Sequence, residues 1–175
     1  MQFNVAGLLK EPVGFTQKIS LDERDVGLDG AYAHHLWGQV QLTQVDSGVW
    51  AIGDLSARVT SACSRCLQYS ETDLNIYFDQ TYYPLTDIFA GVAISLPSDA
   101  DPEFLIDGHH MLDLSEAIRQ SIIVSLPSKP LCNKSCSGLC PGCGSNLNES
   151  SCTCSEAPID VRWEPLLSIF SREHN

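Results

Sequence analysis

Residues 36–60 read LWGQVQLTQVDSGVWAIGDLSARVT, and the fold is decided there. From Leu36 to Val45 apolar and polar side chains partly alternate, the period that puts successive side chains on opposite faces of a strand. Asp46-Ser47-Gly48 then supplies turn residues, and a second run follows from Val49 towards Thr60. Gly53-Asp54 interrupts that run where a β-bulge would fit. Working outward, Cys63-Ser64-Arg65-Cys66 reads as a tight turn, and residues 67–83 as a third strand with Leu74, Ile76 and Phe78 on one face. The expectation is an antiparallel meander with a cysteine pair at one of its turns.

Upstream, residues 1–30 are polar and turn-rich. Phe3, Val5, Leu8 and Leu9 suit one short strand, and Phe15, Gln17 and Ile19 another. Downstream, Pro84, Pro97 and Pro102 with scattered aspartates break any period, so residues 84–111 are expected to be loop. A helix is expected over residues 113–126. Asp113-x-x-Glu116 has the form of a capping box, Leu114, Ala117, Ile118 and Ile122 recur at helical spacing, and Pro127 disfavours helix in the residue before it. The expected class is therefore α+β: a curved antiparallel sheet or partial barrel of five or six strands, one main helix, and a cysteine-rich C-terminal appendage. The division expected is a body over residues 1–127 and a zinc-binding segment with its tail over 128–175. That tail, residues 159–170 with Trp163, carries enough apolar residues to pack on the body.

The chain has 175 residues, 43% of them hydrophobic, which suffices for one domain with a core. No stretch approaches the ~20 apolar residues of a membrane helix. Its first residues lack the basic and apolar regions of a secretory signal, so a cytoplasmic location is expected. With 22 acidic against 10 basic residues the net charge is −12, a field that opposes both nucleic acid and anionic membrane surfaces.

Eight cysteines need explaining in a reducing compartment, where metal or redox chemistry is the usual reason for such density. Six of them, Cys132, Cys136, Cys140, Cys143, Cys152 and Cys154, fall in a segment poor in large apolar residues. Cys140-Pro141-Gly142-Cys143-Gly144 is the informative element. Two thiolates three positions apart can reach one tetrahedral ion at ~2.3 Å, and the following glycine can take the positive φ of a metal knuckle. All-thiolate ligation favours zinc or an iron–sulfur cluster, and zinc is preferred because no apolar shell is evident to protect a cluster. Four thiolates close the zinc shell, which points to a structural ion rather than a catalytic one. Cys63-x-x-Cys66 admits three readings: a redox pair, part of a second four-thiolate site, or a hairpin end with unligated thiols. One or two ions are expected, and spacing alone leaves open which four cysteines share one.

With these residues in view, the chain resembles the YceD family, whose members are described as large ribosomal RNA subunit accumulation proteins. The resemblance runs through Val59-Thr60-Ser61-Ala62-Cys63-Ser64-Arg65-Cys66-Leu67, Ile106-Asp107, Asp113-Leu114 and Leu126-Pro127-Ser128-Lys129-Pro130-Leu131-Cys132. It continues in the cysteine element from Cys136 to Asn148, in Cys152-Thr153-Cys154, and in Ile159-Asp160-Val161-Arg162-Trp163. The resemblance implies a non-enzymatic role in the accumulation of 23S rRNA and biogenesis of the large ribosomal subunit. Because the chain is acidic, the partner expected is a basic ribosomal or assembly protein or a ribonuclease, or else the rRNA precursor through a local contact. Arg58 and Arg65, near the first cysteine pair, and Lys129 and Lys134, near the second cluster, are the candidates for such a contact; the alternative is that they are ordinary solvated charges.

Nothing points to catalysis. No phosphate loop, nucleotide fingerprint or Ser–His–Asp order is present, so no small-molecule substrate is expected. His34-His35 and His109-His110 are adjacent pairs, and neighbours on an extended chain point apart. Trp37, Trp50 and Trp163 lack the basic surroundings of a single-strand RNA platform. Two other readings stay open: a structural zinc protein of another assembly, and a thiol redox or zinc-sensing protein.

Overall fold

A computed structural model describes residues 1–28, 31–98, 100–154 and 162. The chain divides into two compact units: Met1–Cys63 with Gln68–Cys132, and Ser64–Leu67 with Asn133–Asn175.

The first unit holds the regular structure. Strand β1 (Gln2–Asn4) and a single 3-10 turn (Leu8–Lys10) precede four long strands, β2 (Thr16–Leu28), β3 (Ala31–Val45), β4 (Gly48–Ala62) and β5 (Tyr69–Pro84). Two short strands, β6 (Leu105–Ile106) and β7 (Met111–Asp113), lead into helix α1 (Ser115–Ser125). The main sheet has the order β2-β3-β4-β5-β6 and curls into a half-barrel. The expected α+β class holds. The sheet is mixed rather than wholly antiparallel, because β6 pairs with β5 in parallel. β1 and β7 form a separate antiparallel pair, Phe3 opposite Leu112.

Alternation decides the faces. In β4, Val49, Ala51, Gly53, Leu55, Ala57 and Val59 are buried, while the residues alternating with them are at least partly exposed. In β5, Leu74, Ile76, Phe78 and Tyr82 continue that inner face, and Leu114, Ala117, Ile118 and Ile122 of the helix segment join the same core with Val5, Leu8 and Leu9. Burial of such side chains is worth about 1.5–3 kcal/mol each before entropy is counted.

Several local expectations are corrected. β4 and β5 stay in register through Gly53, so no bulge lies there. Instead Gly53 makes room for a ring, since a Cβ on it would stand 2.0 Å from Cε1 of Phe78. The irregularity is in β3 between Ala33 and His35. Ala33 and Leu36 are both buried, three positions apart, which a regular strand forbids; the extra residue there restores the alternation. The expected capping box does not form: the N-cap position is Leu114, which has no side-chain cap, and Asp113 one residue earlier accepts from Ser115 N–H through Oδ1 at 2.8 Å. Glu116 accepts from Arg119 and Gln120 rather than reaching back to the helix start.

Residues 84–111 carry more order than expected. Asp87, Asp101 and Asp107 each accept backbone N–H groups two to four residues on, pinning turns around the short strands. Among the described residues no helix is long and apolar enough to cross a membrane. Apart from Arg162, the expected tail over residues 159–170, with Trp163, lies outside the described residues.

Candidate metal centres

Two Cys-x-x-Cys turns set the sites. In the first, Cys63 N–H donates to the Gln68 carbonyl at 2.8 Å, closing the β4–β5 connection, and Leu67 takes a left-handed φ of 61°. In the second, Cys140 N–H donates to the Ser145 carbonyl and Gly144 N–H returns to the Cys140 carbonyl, both at 2.8 Å. Gly144 has φ 75°, so the residue after the second cysteine is left-handed in both turns. That turn sits in a small loop of chain tied by the Leu139–Asn146 bridge and by Leu147 N–H donating to the Gly138 carbonyl.

The eight cysteines fall into two sets of four. The Sγ atoms of Cys63, Cys66, Cys132 and Cys136 all lie within 4.8 Å of one another, and so do those of Cys140, Cys143, Cys152 and Cys154. A tetrahedral ion with ~2.3 Å bonds separates its sulfurs by about 3.8 Å, so both sets have the dimensions of a four-thiolate site. Either group could hold a metal ion. In the second set Cys152 and Cys140 are 3.2 Å apart, beyond the ~2.05 Å of a disulfide.

Electrostatics within the second set point the same way. Cys140 is brought down to about 6, first by the hydrogen bond from the Cys152 thiol and then by the N–H groups of Cys143 and Gly142. Cys143 is lowered too, chiefly by Ser145, whose Oγ is 2.9 Å from its sulfur. Cys152 is raised, and Cys154 is pushed up to about 12, because each supplies the proton that steadies a neighbouring thiolate. The four sulfurs thus shift one another in opposite directions, and a divalent cation is what lets all four ionise together.

The second unit has little else to hold it. Among its described residues the buried side chains of apolar type are all cysteines: Cys66, Cys136 and Cys140. Its polar residues are arranged around them. Asn148 Nδ2 donates to Cys136 Sγ at 3.3 Å, and Gly142 N–H to Cys140 Sγ at 3.4 Å. The sulfur-facing amide of Asn148 has no signal in spacing.

The four cations considered for contact differ in their surroundings. Arg65 donates from Nη1 to the Cys136 carbonyl at 2.8 Å, and its own carbonyl accepts from Leu139 N–H at 3.2 Å, which makes it a strut of the cysteine unit. Arg58 lies on the outward face of β4 and pairs with Asp73 of β5 at 2.8 and 3.2 Å. Lys129 and Lys134 are exposed. Among the described residues no histidine joins a metal-sized group: His34 meets Thr60 and His35 meets Asp22, each at 2.7 Å.

Residues 52–170 match the family model described as "Large ribosomal RNA subunit accumulation protein YceD". The chain belongs to the YceD family. Curated relatives include an uncharacterized protein of Mycobacterium tuberculosis, 27% identical over 140 residues, covering 77% of this chain and 61% of that one. An uncharacterized protein of Mycobacterium leprae is 27% identical over 117 residues, covering 63% of this chain and 51% of the relative. The chain thus spans between half and two thirds of the lengths of these mycobacterial relatives. The large ribosomal RNA subunit accumulation protein YCED homolog 1, chloroplastic, of Zea mays is 43% identical over 61 residues, 34% of this chain and 20% of the relative. No solved structure matches the chain. Both cysteine sets lie within the matched residues.

Proposed function

We propose that this protein is a non-catalytic binding factor for 23S rRNA accumulation, working in the compartment where large ribosomal subunits are assembled, the cytoplasm in a bacterial cell. The family match over residues 52–170 carries the reading. Each cysteine set is assigned one zinc ion. All-thiolate donors suit that ion, and four of them leave no coordination position for a water nucleophile. Zinc supplies folding free energy to a unit whose buried apolar-type residues are its ligands. The net charge of −12 favours a basic protein as the direct partner, a ribosomal protein, assembly factor or ribonuclease, over naked rRNA precursor.

The test is the ratio of large- to small-subunit rRNA in cells lacking the protein, with rescue by wild type, Cys140→Ser and Cys63→Ser. A fallen ratio restored by wild type supports the reading; an unchanged ratio ends it. A thiol redox role is the second reading, favoured by the lowered Cys140 thiol and by the exposure of Cys143 and Cys154. Protein purified under reducing conditions that carries no zinc and is alkylated rapidly at these thiols would favour it.

A further inference from the structure

Residues 88–97, Ile-Phe-Ala-Gly-Val-Ala-Ile-Ser-Leu-Pro, carry no charge in a chain that is 18% charged. The segment is built rather than slack. Asp87 Oδ1 accepts from Phe89 and Ala90 N–H at 2.8 and 2.6 Å, Asp87 N–H reaches the Val92 carbonyl, and Ile94 N–H reaches the Leu85 carbonyl. This hairpin-like turn nonetheless presents its large side chains to solvent: Phe89 is 77% exposed, Val92 59% and Ile94 39%. Contiguous uncovered apolar residues of β-forming type mark a surface that gains by being covered.

Beneath the segment lies a cavity of about 400 Å³, bounded by Phe89, Ile94 and Leu96 on one side and by Leu9, Gln44 and Tyr83 on the other. Its lining includes two carboxylates, Asp46 and Asp87, and no cation. Asp87 is held below the usual carboxylate range by the N–H groups of Ala90 and then Phe89, so it is charged at neutral pH. Gln44 Oε1 is buried with no hydrogen-bond partner, an acceptor awaiting a donor.

We propose that this groove docks a short segment of a basic protein, with one bulky apolar side chain entering the cavity and flanking lysine or arginine side chains meeting Asp46 and Asp87. The choice of a basic protein rests on the partner class argued under Proposed function. A nucleic acid or an anionic membrane would set its phosphates against the two carboxylates. A second copy related by two-fold symmetry would oppose acidic rim to acidic rim.

The test is selection from a phage-displayed library of random twelve-residue peptides on the zinc-loaded full chain, followed by fluorescence anisotropy of the enriched sequences. The expected consensus is an aromatic or aliphatic residue flanked by lysine or arginine. Binding should weaken at least tenfold in Phe89→Ser and in Asp46→Asn, and weaken with added salt. Both residues are accessible in the folded protein, and an unchanged thermal midpoint would show that each variant is folded. No enrichment, an acidic consensus, or affinity unaffected by both variants overturns the proposal. So does a concentration-dependent dimer abolished by Phe89→Ser, which assigns the groove to a second copy. The functional reading fails separately: wild-type rescue of the rRNA ratio without peptide binding removes only the groove.

Discussion

Leu67 and Gly144 hold equivalent places, each after the second cysteine of a Cys-x-x-Cys turn and each with positive φ, 61° and 75°. A side chain in that conformation costs about 1–2 kcal/mol, which glycine avoids. Gly144→Val is therefore expected to weaken zinc retention by roughly tenfold, read by competition with a chromophoric chelator; equal retention would mean that the turn tolerates the strain. Cys140→Ser is expected to lower bound zinc from two equivalents to one, read by native mass spectrometry, and retention of both ions would refute the grouping of thiols. The Cys140-Pro141-Gly142-Cys143-Gly144 turn is legible in sequence because its rule is local. Leu67 gives no such signal, since leucine rarely adopts this φ. The partition into two quartets is illegible for another reason: Cys63 and Cys132 meet through the fold, and no spacing records it.

At the scale of single elements, period was informative wherever an element was long. β4 and β5 follow from alternation and α1 from helical spacing, each to within two residues at its ends. β3 begins at Ala31, five residues before the expected start, because the irregularity between Ala33 and His35 breaks the alternation there. β6 and β7, of two and three residues, are too short for any period to register. Gly53 reads in sequence as a break in a strand, whereas its missing side chain makes room for the Phe78 ring. Gly53→Ala is expected to cost about 1–3 kcal/mol of stability, partly recovered by adding Phe78→Leu; a denaturant midpoint unaffected by the first change would contradict this. In α1, Glu116 is held down at about 2, first by Arg119 and then by Gln120. A carboxyl depressed by folding adds stability above its unfolded pKa of ~4.3 and loses it as the pH falls towards 2. Glu116→Gln should thus destabilise by about 0.5 kcal/mol at pH 7, the size of an exposed helical ion pair, and by clearly less at pH 2, where the carboxyl is about half protonated. Urea melts at the two pH values check this, and an equal loss at both would assign the effect to packing.

For the molecule as a whole, composition foretold a body with a core and a cysteine-rich part without one, but not which strands close against which. Removing zinc with a chelator is expected to leave the strand signal in circular dichroism, since the body keeps its apolar core, while backbone amides of residues 133–154 lose protection from hydrogen exchange. Unchanged protection there would mean that zinc does not hold this unit. The pairing of β1 with β7 reaches further than any of these features. β2 to β5 are joined to their sequence neighbours, so each hairpin can form as soon as its second strand leaves the ribosomal tunnel. Gln2, in contrast, has its partner at Asp113. During synthesis at roughly 5–20 residues per second the first strand must wait several seconds for it, with Val5, Leu8 and Leu9 uncovered meanwhile. Residues 2–9 are therefore among the last of this unit to settle, and the nascent chain presents them to chaperones for that interval.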